Sequence, residues 1–359
     1  MSSFATSAGV TPGLVFGEMA QFNLAGIQEV NMVHIELFHH FMTNNMSGYE
    51  DHHPEMGDLV KTASVRHALR EPYLMYQALA LAARHLCFVR PDNAAFYQSQ
   101  AIHLQTRAIA IFNSLDVGYL QRTTANLVSV FLFSCLLGFQ SLCDVLSHRD
   151  HDFPTALARF LSYLRLHRGV NRILDGHGHE LNESEVAPIF ELSRDYYTVG
   201  GSGHECDDIR RRILLVPDLS NEALEATLKA IDLLQYVIDA EPQAATRAHV
   251  LLPWTVMIAP EFVELLEAGR PEALAVLGYY FLALHHCRDV WMFCGSGHFL
   301  LTSLSTYLGP KWGDWIATPC RLLRESLERE DAESLVEIET NLFLSEQSGG
   351  QASTSYWKQ

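Results

Sequence analysis

Between Thr123 and Cys143 the chain carries no charged residue, and Leu127–Phe139 is almost wholly apolar. A segment this long and this greasy must be enclosed, either by lipid or by other helices. Its length admits a membrane crossing. Asn126, Gln140 and the interspersed serines and threonines argue against one, and so do the amphipathic segments on both sides. The expectation is a buried central helix from about Gln121 to Leu146, with no membrane span.

The neighbouring segments share the helical period. Val33, Leu37, His40 and Phe41 recur at helical spacing within Met32–Met46. A loop over 51–58, a short helix over Leu59–Leu69, a helix opened by Pro72 and ended near Pro91, and another over Asn93–Leu115 follow. Pro154 opens a helix to about Leu174, with Arg159, Arg165, Arg168 and Arg172 outward. After a loop at 175–179, Glu183–Tyr197 reads as helix and 199–208 as a flexible loop. Ser220 is placed to cap a helix to Ile238. Pro242 and Pro253 punctuate shorter helices, and Arg321–Val336 forms the last one. No stretch alternates with period two, and no Asn-Gly or Asp-Gly lies between β-branched runs. The fold class is therefore all-α, a single multi-helix bundle. Residues 1–30 read as a loose arm, 31–336 as one helical domain and 337–359 as a disordered tail.

Charge narrows the partners. The chain has 359 residues with 42 acidic and 25 basic side chains, a net charge of −17. Nucleic-acid binding needs a basic surface, so direct binding is disfavoured. Seven cysteines are scattered, with no Cys-x-x-Cys, as in a reduced intracellular protein. The first residues lack a charged n-region and a continuous apolar core, so no signal peptide is expected. The expected location is intracellular, cytoplasmic or nuclear.

Motifs for chemistry are sparse. His39-His40, His52-His53, His177-x-His179 and His285-His286 are pairs. A metal needs three or four converging ligands, and no set of that kind is spaced for it. Histidines on apolar helices suit either a bonded core position or a polar group lining a pocket. Gly-Ser-Gly-His occurs at 201–204 and 295–298. Neither copy fits Gly-x-Ser-x-Gly, so hinge or capping roles are expected. Arg210-Arg211-Arg212 is flanked by Asp207 and Asp208 and reads as a solvated face. No cofactor motif is present, and none is expected.

From Pro271 to Pro319 runs a proline-led helix, a Cys294-Gly-Ser-Gly break, a second apolar helix from about Phe299 to Leu308, and a corner with Trp312 and Trp315. Leu274, Leu277, Phe281, Leu284 and Arg288 share one face, with Tyr280 and His285 beside it. Such a stretch can wall a cavity or form an ordinary core. Its closing motif, Leu-Gly-Pro-x-Trp-x-x-Trp-Ile-x-x-Pro over Leu308–Pro319, resembles the end of the fungal transcription-factor domain of the sterol uptake control protein family. Glu36–Phe41, Tyr73–Leu86 and Leu166–Val170 resemble earlier parts of it. The likeness covers about 32–325 and is poor over 175–270.

The resemblance implies an all-α ligand-sensing domain with a hydrophobic C-terminal pocket for a sterol- or terpenoid-like small molecule. Tyr280, Leu284, Trp291, Phe293, His298, Leu301 and Trp312 are the candidate ligand-binding walls. The family's zinc cluster has no counterpart here, because the first 86 residues contain no cysteine. DNA binding therefore does not carry over, and the chain reads as a regulator cut at its linker or as a stand-alone copy. Two further readings stay open. The pocket can serve a cofactor-free cyclase, pericyclase or isomerase, or the domain can act as a homodimer or with a partner regulator.

Overall fold

The computed structural model describes residues 30–44, 54–150, 152–172, 175–191, 201–239 and 244–330. Helices and turns account for these residues, with no strand among them, so the chain is all-α. The helices are α1 (Met32–Thr43), α2 (Pro54–Ala68), α3 (Pro72–Val89), α4 (Ala94–Asn113), α5 (Val117–Leu120) and α6 (Thr124–Ser147). Then come α7 (Phe153–Asn171), α8 (Gly178–Asn182), α9 (187–191), α10 (Asp207–Ile213), α11 (Asn221–Asp239) and α12 (Ala244–Met257). The last four are α13 (Pro260–Glu267), α14 (Pro271–His286), α15 (Ser296–Leu308) and α16 (317–330).

Two apolar clusters hold the bundle. The first gathers Leu37, Tyr73, Leu86, Leu104 and Phe133 from α1, α3, α4 and α6. The second gathers Leu164, Ile231, Trp254, Phe262, Tyr280 and Leu301 from α7, α11 to α15 and their neighbours. The uncharged helix is common to both. α6 gives Leu127 to Leu137 to the first cluster and Leu142 to Leu146 to the second. It is long and apolar enough to cross a membrane, and two thirds of that stretch is buried inside the protein. That burial is the enclosure its composition demands. Trp291, in the turn after α14, touches both clusters.

α14 is the centre of the second cluster. Every residue from Glu272 to His285 is buried. The single stripe expected from sequence is thus too narrow, since α10, α11, α12, α13 and α15 all lie against this helix. Pro271 opens α14 at a position whose N–H has no helical acceptor. Gly309 ends α15 at φ 69° and ψ −177°, a conformation open almost only to glycine.

Prolines explain most departures from the sequence reading. Pro54 begins α2 inside the segment read as a loop, as Pro72 begins α3. Pro253 lies inside α12 rather than at its edge. The helix read at Glu183–Tyr197 begins later than expected, after a turn at 183–186, with α9 helical from 187; 192–200 lie outside the described residues. The loop read as flexible is tied down from 201 onward. The Ser202 and Gly203 N–H groups donate to Asp239, at 2.5 and 2.8 Å. Ser220 caps α11 as expected, accepting from the Ala223 N–H at 3.1 Å. α16 begins at 317, ahead of the expected Arg321. The arm at 1–29, the tail at 337–359 and the end expected for the last helix lie outside the described residues.

Candidate functional site

The seven residues expected to wall a pocket do not converge on one space. Tyr280, Leu284, Phe293 and Leu301 are buried members of the C-terminal core. The Tyr280 ring stacks on Trp254, with centroids 4.6 Å apart. Trp291 reaches the other half of the molecule and meets His85 and Phe88 of α3 at 4.8 and 6.2 Å. His298 is exposed, its ring 6.4 Å from that of His285. Trp312 is half-buried beside Trp315 at 5.1 Å. Leu301 alone of the seven lines one of the clefts described here, a space of about 290 Å³ between α15 and α16 with Thr302, Cys320 and Leu323.

The second Gly-Ser-Gly is a packing device. A Cβ on Gly297 would lie 2.5 Å from the Phe281 carbonyl oxygen and 2.7 Å from the His285 Cα. The glycine therefore lets α15 meet the backbone of α14. Cys294, before it, holds a left-handed φ of 42°, and its thiol donates to the Trp291 carbonyl at 2.9 Å. Ser296 is buried, which removes it as a nucleophile.

A serine, a histidine and a glutamate do come together elsewhere. His67 of α2 bonds Ser129 Oγ of α6 through Nδ1 and Glu185 through Nε2, each at 2.8 Å. Arg66 pairs with the same glutamate. The grouping looks like a hydrolytic triad, but its setting opposes that chemistry. Ser129 is buried in the second turn of α6 and its hydroxyl donates to the Ala125 carbonyl at 2.9 Å. The three residues tie the 183–186 turn to α2 and α6.

The candidate site is the cleft between α6 and α7, about 490 Å³. α7 packs along α6, with Gly138 against His167 far from the junction of the two helices, so they run antiparallel. Val145, Ala158, Leu166 and the Tyr163 ring supply its apolar surface. Its charged rim is already paired. Asp144 accepts from Arg84 Nε at 2.7 Å, and Arg159 bonds Asp150 at 3.1 Å. Burial pushes the Asp144 carboxyl up, against the pull of Arg84. His148 Nδ1 meets the Asp144 carbonyl at 2.6 Å. Tyr163 is anchored from behind, its hydroxyl 2.7 Å from Thr255 Oγ1. Phe160 links it inward to Tyr280, with centroids 5.8 Å apart. Sequence reasoning missed this cleft because its residues fall at ordinary helical spacing, and only the α6–α7 turn brings them face to face.

Among the described residues no group of three or more His, Cys, Asp or Glu side chains could hold a metal. His177 and His179 are instead beside Glu180 and Glu183, at 3.3 and 3.4 Å. Arg211 and Arg212 both bond Asp208, at 3.1 and 2.8 Å, and Arg210 pairs with Asp232.

No family model matches the chain, and no solved structure does. A Zn(2)-C6 fungal-type transcription factor of Gibberella zeae is 22% identical over 306 residues. The match takes in 81% of this chain and 62% of that protein's length. It is a distant likeness to a fungal-type transcription factor and does not extend to the sterol uptake control subfamily in particular.

Proposed function

We propose that this chain is a regulatory domain of the fungal zinc-cluster transcription-factor type, intracellular in its location, that takes up an apolar small molecule of sterol or terpenoid size. The observation that carries the reading is the cleft of about 490 Å³ on the two helices that bring the clusters together. Its volume falls within the roughly 300–1,000 Å³ usual for small-molecule sites. α6 belongs to both clusters, so an occupant that spreads or draws together α6 and α7 changes the packing of the whole bundle. A ligand acts this way only through its differential affinity for the two packings. The pairing of the rim charges Asp144 and Arg159 favours binding over catalysis. The distant likeness to a transcription factor supports a regulatory output.

The test is native mass spectrometry of the protein purified from a fungal host, beside an Ala158→Trp variant. Ala158 lines the cleft and is exposed, so a tryptophan there fills the space without touching the core. An apolar molecule held one to one by the wild type and missing from the variant is the expected outcome. Equal occupancy in both proteins removes the cleft from consideration, and no apolar occupant in either defeats the reading.

A further inference from the structure

A cavity of about 270 Å³ lies where the end of α2 meets the start of α6, beside the 183–186 turn. It stands apart from the α6–α7 cleft, to which α6 gives Ser141, Asp144 and Val145. Ala125 and Val128 supply its apolar wall, and Arg66, His67, Arg70 and Glu185 its polar one. These polar groups are unequally engaged. His67 is held between Ser129 Oγ and Glu185 Oε1, at 2.8 Å on each side. Glu185 Oε2 takes Arg66, so both of its carboxylate oxygens are occupied. Arg70 is exposed, and its guanidinium has no partner among the described residues. The carboxylate next to it in sequence, Glu71, accepts instead from the Tyr119 hydroxyl and the Asn126 amide, at 3.2 Å each.

Of the two guanidinium groups lining this cavity, one is therefore left over. The chain as a whole carries −17 and repels anions, so an anion can settle only where the local charge is reversed. The planar fork of an arginine suits a carboxylate, which takes two parallel N–H donors. Thr124 and Ala125, the first two residues of α6, line the same cavity, and their N–H groups have no acceptor within the helix. The volume is just below the roughly 300–1,000 Å³ of drug-sized sites, so the occupant is compact. One unanswered guanidinium calls for one negative charge, since a second would face Glu185 without a partner.

We propose that this cavity binds a small monocarboxylic acid, with its carboxylate on Arg70 and its apolar body against Ala125 and Val128. It is a second site, independent of the apolar occupant of the α6–α7 cleft and selective for charge where that cleft is not. Glu185 holds Arg66 as the ligand holds Arg70, so Arg70 alone is the residue that reads the acid.

The experiment is isothermal titration of the full chain, at one fixed low ionic strength, with benzoate and with benzyl alcohol, which share a ring and differ in charge. Wild type should prefer benzoate by about tenfold, the worth of a charge-assisted hydrogen bond. Arg70→Gln should bind the two probes alike, and it should keep its fold because Arg70 is exposed and unpaired. Arg211→Gln makes the same change of charge on a solvated face and should keep the whole preference. No preference for benzoate in folded wild type, or a preference that survives in Arg70→Gln, overturns the proposal. An equal loss in Arg70→Gln and Arg211→Gln overturns it too, because the effect would then belong to net charge and not to the cavity. The reading of the α6–α7 cleft stands or falls separately, on the Ala158→Trp variant.

Discussion

His40 Nε2 lies 2.9 Å from His85 Nδ1, and this contact between two buried imidazoles joins α1 to α3. The proton can be placed. The Asn44 amide nitrogen donates to His40 Nδ1 at 2.9 Å and also meets the His40 carbonyl at 3.1 Å, which fixes it as a donor. His40 therefore carries its hydrogen on Nε2 and gives it to His85 Nδ1. A second proton on the pair would set two donors head to head.

This arrangement gives stability a definite pH dependence. Burial pushes His85, His167 and His285 down from the usual 6.5 to about 4. The folded protein thus binds fewer protons than the unfolded chain between those values. Stability from these groups is whole above the unfolded value and is lost as pH falls from about 6.5 through 4. A shift of that size on one fully buried histidine corresponds to roughly 3 kcal/mol. Asp144, raised by burial, works in the opposite sense. Urea midpoints should fall steadily from pH 7.5 to 4.5, and His85→Phe should flatten the slope. A midpoint indifferent to pH would contradict the assignment.

Two glycines on the α14–α15 contact should respond in opposite ways. A Cβ on Gly297 meets backbone of α14, which cannot step aside, so Gly297→Ala should cost about 2–3 kcal/mol by overpacking. A Cβ on Gly278 would meet only side-chain atoms of Leu304, Ile316 and Leu301, at 3.4 to 3.6 Å. Gly278→Ala should be neutral or gain up to about 1 kcal/mol from helix propensity. Thermal melts of the two variants decide it, and the argument fails if they move together.

The Arg84–Asp144 pair ties α3 to α6 beside the candidate cleft, and Arg84 Nη2 also donates to Ser147 at 2.5 Å. Removing one partner leaves a poorly solvated charge. Asp144→Asn or Arg84→Met alone should cost roughly 3 kcal/mol, and the double variant less than the sum of the two. Denaturant unfolding of the three variants measures the coupling. Strict additivity would mean that water already compensates each charge.

Helical class was legible because Thr123–Cys143 and the proline-opened segments carry the 3.6 period or a run too apolar for any exposed element. Helix bounds were misjudged at Pro54, read inside a loop, and at Pro253, read as punctuating shorter helices, since proline suits a first turn and a helix can carry one inside. The expected wall residues were chosen for apolar character, and that character is also what seats Tyr280 against Trp254 in the core. What placed the candidate cleft was the pairing of residues far apart in sequence, Ser141 and Val145 of α6 with Tyr163 and Leu166 of α7. Nothing local announces such a pair, because each member is unremarkable until the turn after Ser147 folds α7 back on α6.

The shared helix makes a last prediction about cooperativity. α6 runs through both clusters without a break, and Trp291 from the C-terminal half packs on His85 and Phe88 of the N-terminal half. Unfolding one cluster would strip half of α6 of its cover and leave an uncharged segment in water. The two should therefore unfold together, as one domain. The four tryptophans among the described residues, Trp254, Trp291, Trp312 and Trp315, all belong to the C-terminal half or its junction. Fluorescence thus reports mainly on that half, while far-UV circular dichroism reports on every helix. The two transitions should coincide in urea, the mark of two-state behaviour. Trp291→Ala should cost about 2–4 kcal/mol of stability, a little below the roughly 3–5 kcal/mol usual for a buried Trp because Trp291 is half-buried, and leave the transitions superimposed. If the fluorescence transition separates from the circular dichroism transition in wild type, the clusters are independent domains joined by a helix. If they separate only in Trp291→Ala, the tryptophan rather than α6 is what couples them.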